Sequence, residues 1–551
     1  ENGVSGLRIL SYKGTTTDGG FHMNMLNEQF DYYYAVNLKP NFTATSYPYI
    51  QIITDKSPAN NIAERGSVGK DFQPDPLNAS VTRTIVYKQY TAIDNNPATP
   101  AEAIKYITIV PGTTDLKVDY YSAANGLTEL FVKETMDEDK KITRNYINDK
   151  GQTILVRKYA VNGTTILTQT YYVYDDMDKL RFTIQPEGME KITIIPQTLN
   201  NTIKDYCFEY NYDSRGRLIS KKIPGGGRTE LAYDRWDRPA ISQDANQRAK
   251  SPQEFTYTKY DMQNRPIMTG TFTATNRTLT IDAVRTELLN PALGNRFESR
   301  NMGTLPNSDY ANIATYPIPN STNSLELLVQ TYYDDNNYTD LAGFTFTNYL
   351  GYTSANVIKN VKGLVTATKT RVLGTTNTWI MSVNFYDQYD NVIQVQKQNI
   401  NGIKSFVTTT YDFMHRPLIT SEDNKLTATV GAVSQSTNVY DHIGRLTRIS
   451  QSVNGGSTVI LADYKYTDLG TKVKEKNMGS VNSGSTFLQS VDYSYNEKGW
   501  LTHINNGDLS NDGIVSNDDA NDLFGLDLNY YQDLKIDASK AVYNGNLAEQ
   551  I

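Results

Sequence analysis

A tyrosine followed by aspartate and a short turn recurs along this chain, and this repeat constrains the fold more than any other feature. The pattern is Tyr-Asp, two variable residues, a turn residue, and then often Arg followed by an apolar residue or Pro. Successive copies lie 21 to 29 residues apart within tight runs and 38 or more apart where sequence is inserted. Asp follows the tyrosine in eight of the ten copies, so the pair itself is part of the repeat. The copies begin at Tyr174, Tyr212, Tyr233, Tyr260, Tyr333, Tyr386, Tyr411, Tyr440, Tyr466 and Tyr495.

The position four residues after each tyrosine predicts the geometry of the turn. It holds only Gly, Asn, Asp or His, which are the residue types that tolerate a positive φ. A type I turn followed by a left-handed residue joins two strands as a hairpin with a bulge. The aspartate would begin this turn, because its carboxylate can accept backbone N–H groups two residues further on. Each copy is therefore predicted to be a strand, a tight turn and a second strand. The ten positions are Asp178, Gly216, Asp237, Asn264, Asn337, Asp390, His415, Gly444, Gly470 and Gly499.

The residues around the turns indicate how neighbouring repeats contact each other. Residues 204–212 alternate as a strand does. We expect the repeat tyrosines of adjacent hairpins to lie ring beside ring, each pair contributing ~0.2–1 kcal/mol and together fixing the register. Arginines recur just past the turn, and we interpret them as salt-bridge partners of the turn aspartates. A row of arginines that binds an anionic ligand is the alternative. The arginines are Arg217, Arg238, Arg265, Arg416 and Arg445.

Repeats of the form Tyr-Asp-x-x-Gly-Arg-Leu, as at Tyr212 and Tyr440, resemble the YD-repeat family of Rhs and teneurin-like proteins. The resemblance runs from a degenerate copy at Tyr174 to Trp500, and strand-like sequence carries it back to about residue 131. The first copy and the segments 499–506 and 521–526 look like those of Bacteroidota YD proteins, and residues 543–546 resemble the opening of the Rhs-associated core. The resemblance implies an all-β fold in which the repeats wind into a spiral β-sheet. In this family that sheet closes as a hollow shell, or cocoon, which commonly encloses a variable C-terminal toxin.

The sequence departs from the complete family pattern after the repeats. The core has barely begun at Ile551, and no toxin domain is present. The family's self-cleavage motif, Asp-Pro followed by Gly, is missing, since Asp75-Pro76 lies far upstream and is followed by Leu77. We therefore expect the chain to be the shell portion of a longer polymorphic toxin, truncated at the start of the Rhs-associated core.

Interruptions of the repeat period divide the chain into five predicted parts. The predicted helix of the insertion begins at Ile281 and ends at Leu289, before Pro291. The parts are a β-rich N-terminal module (1–130), the first repeats (131–270), an insertion with a short helix (271–325), the second repeats (326–500), and a calcium-loop-like segment with the start of the core (501–551).

One acidic loop matches the template of a calcium-binding loop. With Asp508 as position one, oxygen-bearing side chains fall at positions 1, 3, 5, 9 and 12, and Gly513 stands at position 6, where the loop turns sharply. Position 12 is Asp rather than Glu, as in dockerin-like loops. We predict a structural Ca²⁺ site, and the alternative is an acidic, Asn-rich surface loop. The predicted ligands are Asp508, Ser510, Asp512, Ile514 (through its carbonyl), Ser516 and Asp519.

Composition narrows the possible functions. Lys plus Arg number 53 and Asp plus Glu number 60, and this net charge of -7 argues against nucleic-acid binding. The single cysteine, Cys207, excludes an internal disulfide framework and a cysteine zinc site. No stretch approaches 18 consecutive apolar residues, so no transmembrane segment is predicted. The motifs form no catalytic constellation, and we expect Trp236, Trp379 and Trp500 to pack rather than to stack on glycans.

The leading interpretation is a non-enzymatic, exported YD-repeat shell that is secreted or held at the cell surface. It would encapsulate or present a C-terminal toxin or other payload polypeptide, and it would depend on secretion machinery. The alternative is a cell-surface adhesin or glycan-binding scaffold, whose partner is a surface protein or glycan. A secreted hydrolase is the third interpretation.

Overall fold

The computed structural model describes most of the chain, and the described part is dominated by antiparallel strands. The described residues are 4–9, 47, 49–55, 57–75, 82–92, 103–113, 115–121, 129–161, 163–192, 195, 197–199, 201–275, 278–290, 295–299, 310, 312, 314–320, 322–375, 377–425, 427, 430–467, 472–481, 486–496, 498–505, 507, 522–531, 534 and 537–551.

Strands account for nearly all regular structure, as the turn repeat predicts. In chain order they are β1 Val4–Ile9, β2 Tyr49–Thr54, β3 Ile62–Arg65, β4 Ile85–Ala92, β5 Lys105–Ile109, β6 Leu116–Tyr120, β7 Leu130–Met136, β8 Ile142–Ile147, β9 Thr153–Tyr159, β10 Ile166–Tyr174, β11 Leu180–Ile184, β12 Gln197–Thr198, β13 Cys207–Tyr212, β14 Leu218–Lys222, β15 Arg228–Tyr233, β16 Pro239–Gln243, β17 Glu254–Tyr260, β18 Pro266–Ala274, β19 Asn323–Asp335, β20 Asn360–Arg371, β21 Trp379–Tyr386, β22 Val392–Gln398, β23 Lys404–Tyr411, β24 Pro417–Lys425, β25 Gly431–Tyr440, β26 Leu446–Val453, β27 Val459–Tyr466, β28 Val473–Val481, β29 Thr486–Tyr495, β30 Leu501–Ile504, β31 Leu526–Asn529 and β32 Glu549–Gln550. The α-helices are α1 Pro186–Glu190, α2 Asn201–Lys204, α3 Ala245–Ala249 and α4 Ile281–Leu289.

The chain forms two compact units, Glu1–Phe208 with Leu461–Ile551, and Glu209–Ile460. In the first unit, β1 to β4 pair in chain order, β4 pairs with β7, and β7 to β10 continue to β11, all antiparallel. Strands β5, β6 and β12 form a separate three-stranded sheet. The strands of residues 1–92 therefore extend the sheet of the first repeats, and the predicted module boundary at residue 130 stays a prediction.

The late strands of the first unit and the strands of the second unit also pair antiparallel with their neighbours in the chain. Each of β27 to β31 pairs antiparallel with the next strand along the chain. In the second unit, each strand from β13 to β25 likewise pairs with the next strand along the chain. Because alternate connections of such a meander lie on the same edge, the tyrosine turns of a run share one edge of its sheet. The all-β fold and the large antiparallel sheet predicted from the sequence are confirmed.

Each unit has its own apolar core. The core of the first unit lies among β6 to β11 and includes Leu116, Leu155, Phe182 and the buried Cys207. The core of the second unit lies around β15 to β21 and includes Phe255 and Phe272, whose rings stack with centroids 5.1 Å apart.

The predicted helix at 281–289 is confirmed as α4. Its first turn is capped by Thr280, whose hydroxyl oxygen accepts the Ala283 N–H at 3.3 Å. Spacing of three and four residues places Ile281, Val284 and Leu288 on one buried face against the core of the second unit. The insertion therefore covers this core rather than interrupting it.

A buried ion pair fixes the rest of that insertion. The Lys259 ammonium lies 2.9 Å from the Glu298 carboxylate, and both side chains are fully buried. Glu298 also accepts the N–H and hydroxyl of Thr315, while Lys259 donates to the carbonyl of the same residue. Such a pair is tolerated in the interior because its remaining donors and acceptors are satisfied.

Among the helices in the described part of the chain, none is both long and apolar enough to span a membrane.

Candidate functional site

The tyrosine turns form one recurring structural unit, and the turn after Tyr411 shows its geometry. The Asp412 N–H donates to the Arg416 carbonyl at 3.0 Å, and the His415 N–H donates to the Asp412 carbonyl at 3.0 Å. One Asp412 carboxylate oxygen accepts the N–H groups of Met414 and Arg416, at 2.8 and 2.9 Å. His415 has a φ of 61°. The aspartate thus begins the turn and a left-handed residue closes it, as predicted from the sequence.

The predicted left-handed position is confirmed in eight copies of the repeat. Gly470 lies outside the described residues, and the prediction is wrong at Tyr333, where Asp334 rather than Asn337 has the positive φ. A bulge shifts the register at the repeat tyrosine in each tight hairpin. The eight residues are Asp178, Gly216, Asp237, Asn264, Asp390, His415, Gly444 and Gly499.

The copy at Tyr333 differs because residues 336–359 are inserted between β19 and β20. This inserted segment is held by side chains of β22. The Gln394 amide donates to the Thr347 carbonyl and accepts the Thr347 N–H, and the Gln396 amide donates to the Thr345 carbonyl. Buried glutamine side chains thus supply hydrogen bonds that a neighbouring strand would otherwise give to the backbone of this segment. The repeat pattern could not reveal this.

The arginine of each turn is bound to the aspartate of the same turn. At Arg416, Nε donates to the second oxygen of Asp412 at 2.7 Å, so the carboxylate is held by backbone and side chain together. Desolvation opposes ionisation of Asp412, but these hydrogen bonds hold the pKa of its carboxyl below the ordinary value. The salt-bridge interpretation is confirmed for all five arginines, at 2.6–2.7 Å.

The same arginines cover the tyrosine of the following repeat. The guanidinium carbon of Arg416 lies 4.6 Å from the centre of the Tyr440 ring, a cation–π contact. Equivalent contacts join Arg217 to Tyr233, Arg238 to Tyr260, and Arg265 to Tyr333, at 4.2–4.6 Å. The predicted ring-beside-ring stacking is therefore wrong for these repeats, because an arginine occupies the face of each ring.

Eight of the ten repeat tyrosines also donate their hydroxyls to the preceding repeat. The Tyr440 hydroxyl donates to the carbonyl of Pro417, the first residue of the strand that follows the preceding turn, at 3.0 Å. We call this hydrogen bond, with the arginine over the ring, the repeat link. Hydroxyl bonds of the same kind run from Tyr174 to Thr153, Tyr233 to Leu218, Tyr260 to Pro239, Tyr333 to Pro266, Tyr386 to Val365, Tyr411 to Val392 and Tyr495 to Val473.

Several members of this series were missed in the sequence, and two of them show how the structure extends it. The turn after Ile147 has the same backbone bonds, with Asn148 in the place of aspartate and Gly151 at a φ of 79°. At the other end, the Tyr530 hydroxyl donates to the Leu501 carbonyl at 3.0 Å. The Asn-x-x-Gly spacing was a usable signal for the first, whereas nothing around Tyr530 resembles the repeat.

A cluster of aromatic and charged side chains joins early and late residues of the first unit. The Phe72 and Tyr531 rings lie 5.2 Å apart, Tyr531 stacks on Tyr543 at 5.2 Å, and Lys498 lies 3.3 Å from the centre of the Phe72 ring. The Tyr543 N–H donates to the Asp139 carboxylate at 2.7 Å, across 404 residues of sequence. The segment that resembles the opening of the core thus binds residues near the start of the sheet.

The three tryptophans lie where packing was expected. Trp500 contacts the Tyr530 ring at 5.0 Å, Trp236 lies beside Arg238, and Trp379 lies beside Lys369. All three are partly buried. These contacts occupy ring faces that a glycan would otherwise use.

The predicted calcium ligands, Asp508 to Asp519, lie outside the described residues. Within the described residues, no group of three or more His, Cys, Asp or Glu side chains is placed to hold a metal ion. The structure therefore leaves the calcium prediction as it stood.

No protein-family model matches this sequence, and no curated protein matches it. Among solved structures, the chain is similar to a TcdB2–TccC3 complex without its hypervariable C-terminal region, with 12% identity, a TM-score of 0.40, and coverage of 87% of this chain and 19% of the other. The TcdB2–TccC3 crystal structure gives 12% identity, a TM-score of 0.39, and coverage of 83% and 20%. A Photorhabdus luminescens Tc holotoxin pore with a TccC3 mutation gives 11%, 0.22, and coverage of 88% and 29%. The chain thus spans about a fifth to a third of the length of the chains it matches. The all-β assignment rests on the strands of this chain alone.

Proposed function

We propose that this chain forms the wall of a YD-repeat shell of the Bacteroidota type, without enzymatic activity of its own, which encloses or presents a C-terminal polypeptide. In this proposal the protein is exported through secretion machinery, is secreted or held at the cell surface, and carries a toxin as its payload. The repeat link is the observation that supports the proposal.

The repeat link suits a wall because it joins hairpins that share no apolar core. In the described part of residues 404–453, no apolar side chain is buried, whereas Thr408 and Ser421 are. Neighbouring hairpins there are joined by the backbone hydrogen bonds between β24 and β25, by the hydrogen bond from Tyr440 to Pro417, and by the cation–π contact of Arg416 with Tyr440. Because most of these contacts lie within the layer of the sheet itself, we infer that the part of its face not covered by residues 336–359 is available for a different polypeptide.

Protection of a payload is the property that tests this proposal. We expect protein purified from its native host to contain a polypeptide that resists proteinase K under native conditions and is cleaved after denaturation. Denaturing intact-mass analysis would identify it. Scattering should give a radius of gyration above the ~24 Å of a compact globule of this length.

A matched pair of variants connects protection to the repeat link. Changing both Tyr411 and Tyr440 to Phe removes two hydroxyl bonds, and protection should decrease. Tyr389→Phe alters an exposed tyrosine at a turn and should leave protection unchanged. A payload that is cleaved equally fast before and after denaturation would contradict the proposal.

A second candidate function, surface adhesion, is favoured by the turn tips, meaning the two residues after each turn aspartate. Tips in the second unit expose large apolar side chains, and Phe413 is 89% exposed. Tyr389, Met414 and Ile443 are also exposed at tips. Since these turns lie on one edge, they form an apolar row that suits contact with a cell-surface protein or glycan.

The adhesion candidate predicts that the triple change Phe413→Ser, Met414→Ser and Ile443→Ser abolishes cell binding without altering thermal stability. Serines at exposed turn positions leave the hairpins intact, because the turn bonds use backbone and aspartate atoms. Unchanged binding by this variant would remove the candidate.

We also propose that Asp508, Ser510, Asp512, Ile514, Ser516 and Asp519 bind a structural Ca²⁺. The loop template is the support for this. A chelator should lower the melting temperature of the wild-type protein, and Asp512→Ala should remove the difference. Equal melting with and without chelator would leave the segment as an acidic loop.

A further inference from the structure

An open cavity of about 560 Å³ lies in the first unit, beside the small three-stranded sheet. One wall is β5 with the turn that follows it, and the other wall is formed by the β8–β9 and β10–β11 hairpins. This volume lies in the range of small-molecule sites. The aromatic cluster does not use this cavity, and Tyr174 is the repeat tyrosine that lines it.

The lining of the cavity contains a buried cation without a counter-charge. Lys105 is only 6% exposed, and within the described residues no carboxylate lies at ion-pair distance from its ammonium. Lysine is almost never buried unless it is paired. Burial, together with repulsion from Arg157, lowers the pKa of Lys105, so an anion bound here would offset an electrostatic cost that the free protein bears.

A buried tyrosine holds the backbone of Lys105 in place. Its backbone N–H donates to the hydroxyl of the fully buried Tyr171 at 3.1 Å. Arg157 lies in the same layer and donates to the Ala103 carbonyl at 3.0 Å. The backbone that carries this buried cation is therefore held in place, and a second buried cation lies behind it.

The walls and the rim have a different chemistry. Tyr106, Tyr172 and Tyr174 line the walls, and tyrosine combines an apolar ring with a polar hydroxyl. At the rim, Asp149 and Asp176 are exposed, and no hydrogen bond in the described structure engages their carboxylates. The cavity thus has a cation at its floor, rings at its sides and hydrogen-bond acceptors at its mouth.

We infer that this cavity binds an acidic sugar of the uronic acid class. The sugar carboxylate pairs with Lys105, the ring lies against the tyrosines, and hydroxyl groups donate to Asp149 and Asp176. A neutral sugar leaves Lys105 unpaired, so the carboxylate determines specificity.

Calorimetric titration of the full chain tests this site with glucuronate and galacturonate, compared with glucuronamide, which replaces the carboxylate with a neutral amide. We expect a uronate to bind and glucuronamide to bind at least about tenfold more weakly, since one charge-assisted hydrogen bond is lost. Acetate should bind more weakly than the uronate, because it lacks the ring and hydroxyl groups.

Lys105→Met separates a binding role from a structural one. It should abolish uronate binding, and it should also raise the melting temperature of the free protein, because an uncompensated buried charge is removed. Lys117→Met is the matched control, since Lys117 lies in the same small sheet with an exposed side chain and does not line the cavity. The control should bind as the wild type does.

Several results would overturn the inference. These are no binding of either uronate, equal binding of glucuronamide, or equal loss of binding in Lys117→Met. A decrease in melting temperature in Lys105→Met would assign the lysine a structural role. Acetate binding as tightly as the uronate would reduce the site to a general carboxylate site.

Discussion

The hairpins at residues 142–184 and those at residues 404–453 use the same turn but are stabilised in different ways. In the first region Leu155, Tyr171 and Phe182 are buried in an apolar core. In the second region no described apolar side chain is buried, and the arginine and tyrosine of each repeat connect neighbouring hairpins. The turn after Ile147 shows that the hairpin itself needs neither a repeat tyrosine nor an arginine.

This difference assigns separate tasks to the residues of the repeat. The Asp or Asn and the left-handed residue form the turn, so they occur in both regions. Tyrosine and arginine join one hairpin to the next, and they matter most where no core does this. The repeat motif therefore has two structural roles: one set of residues forms the turn, and the other joins neighbouring hairpins.

The largest contrast is expected from truncating apolar side chains. Leu155→Ala removes a fully buried side chain from the first region and should lower the free energy of unfolding by about 2–5 kcal/mol. Val439→Ala in the second region should change it by less than about 0.5 kcal/mol, because Val439 is partly exposed. Chemical denaturation measures both, and similar losses would mean that the second region has an apolar core after all.

Left-handed glycines should matter in both regions. Gly151→Ala places a side chain at a φ of 79° in open space and should cost about 1–2 kcal/mol from backbone strain alone. Gly444→Ala should cost more, because its Cβ would lie 2.8 Å from Nη1 of Arg416. Gly151→Asn is the control for backbone strain, since Asn tolerates this conformation and a Cβ at this position lies in open space. A smaller loss at Gly444 than at Gly151 would contradict the proximity of Arg416.

The hydroxyl half of the repeat link should have a smaller effect. Tyr440→Phe removes one hydrogen bond and should lower the free energy of unfolding by about 0.5–1.5 kcal/mol. Tyr389→Phe, measured by the same denaturation experiment, should be neutral. If both variants behaved alike, the bond to Pro417 would contribute nothing to stability.

Acidification should have the smallest effect, and it should distinguish the aspartate turns of the second region from the Asn148 turn of the first. The pKa values of Asp412 and Asp441 are lowered in the folded protein, where hydrogen bonds to the ionised form outweigh desolvation. Their contribution is therefore fully present above the unfolded value, about 3.9, and is lost as the pH falls through the folded value.

Amide exchange, corrected for its intrinsic pH dependence, measures this difference. Protection of the Met414 and Arg416 amides should decrease below about pH 4. Protection of Lys150 and Gln152 should persist, because the Asn148 side chain that accepts their N–H groups does not titrate. Parallel loss in both turns would indicate general acid unfolding instead.

The sequence predicted the structural features whose interacting residues lie close together in the chain. The turn aspartates, the left-handed positions, the salt bridges at Arg217 and its equivalents, and the helix at 281–289 all involve partners within a few residues, so their spacing is visible in the sequence. The prediction for the copy at Tyr333 was wrong because an inserted segment replaces the local turn.

The predictions that failed, or were never made, concern partners far apart in the chain. Tyr233 and Tyr260 are 27 residues apart, and nothing in their spacing shows that Arg238 lies over the Tyr260 ring. Tyr543 contacts Asp139 across 404 residues, and Lys105 is buried beside hairpins that begin some forty residues later.

The sequence by itself determined the element type and the turn chemistry, because these follow from local backbone preferences and short hydrogen bonds. Only the tertiary structure decided that arginine rather than tyrosine covers four of the rings, and that a glutamine-bound segment replaces one turn. It also decided that the Lys105 ammonium is buried with no carboxylate beside it among the described residues. Those outcomes depend on which distant side chains compete for the same space, and the sequence alone does not specify that competition.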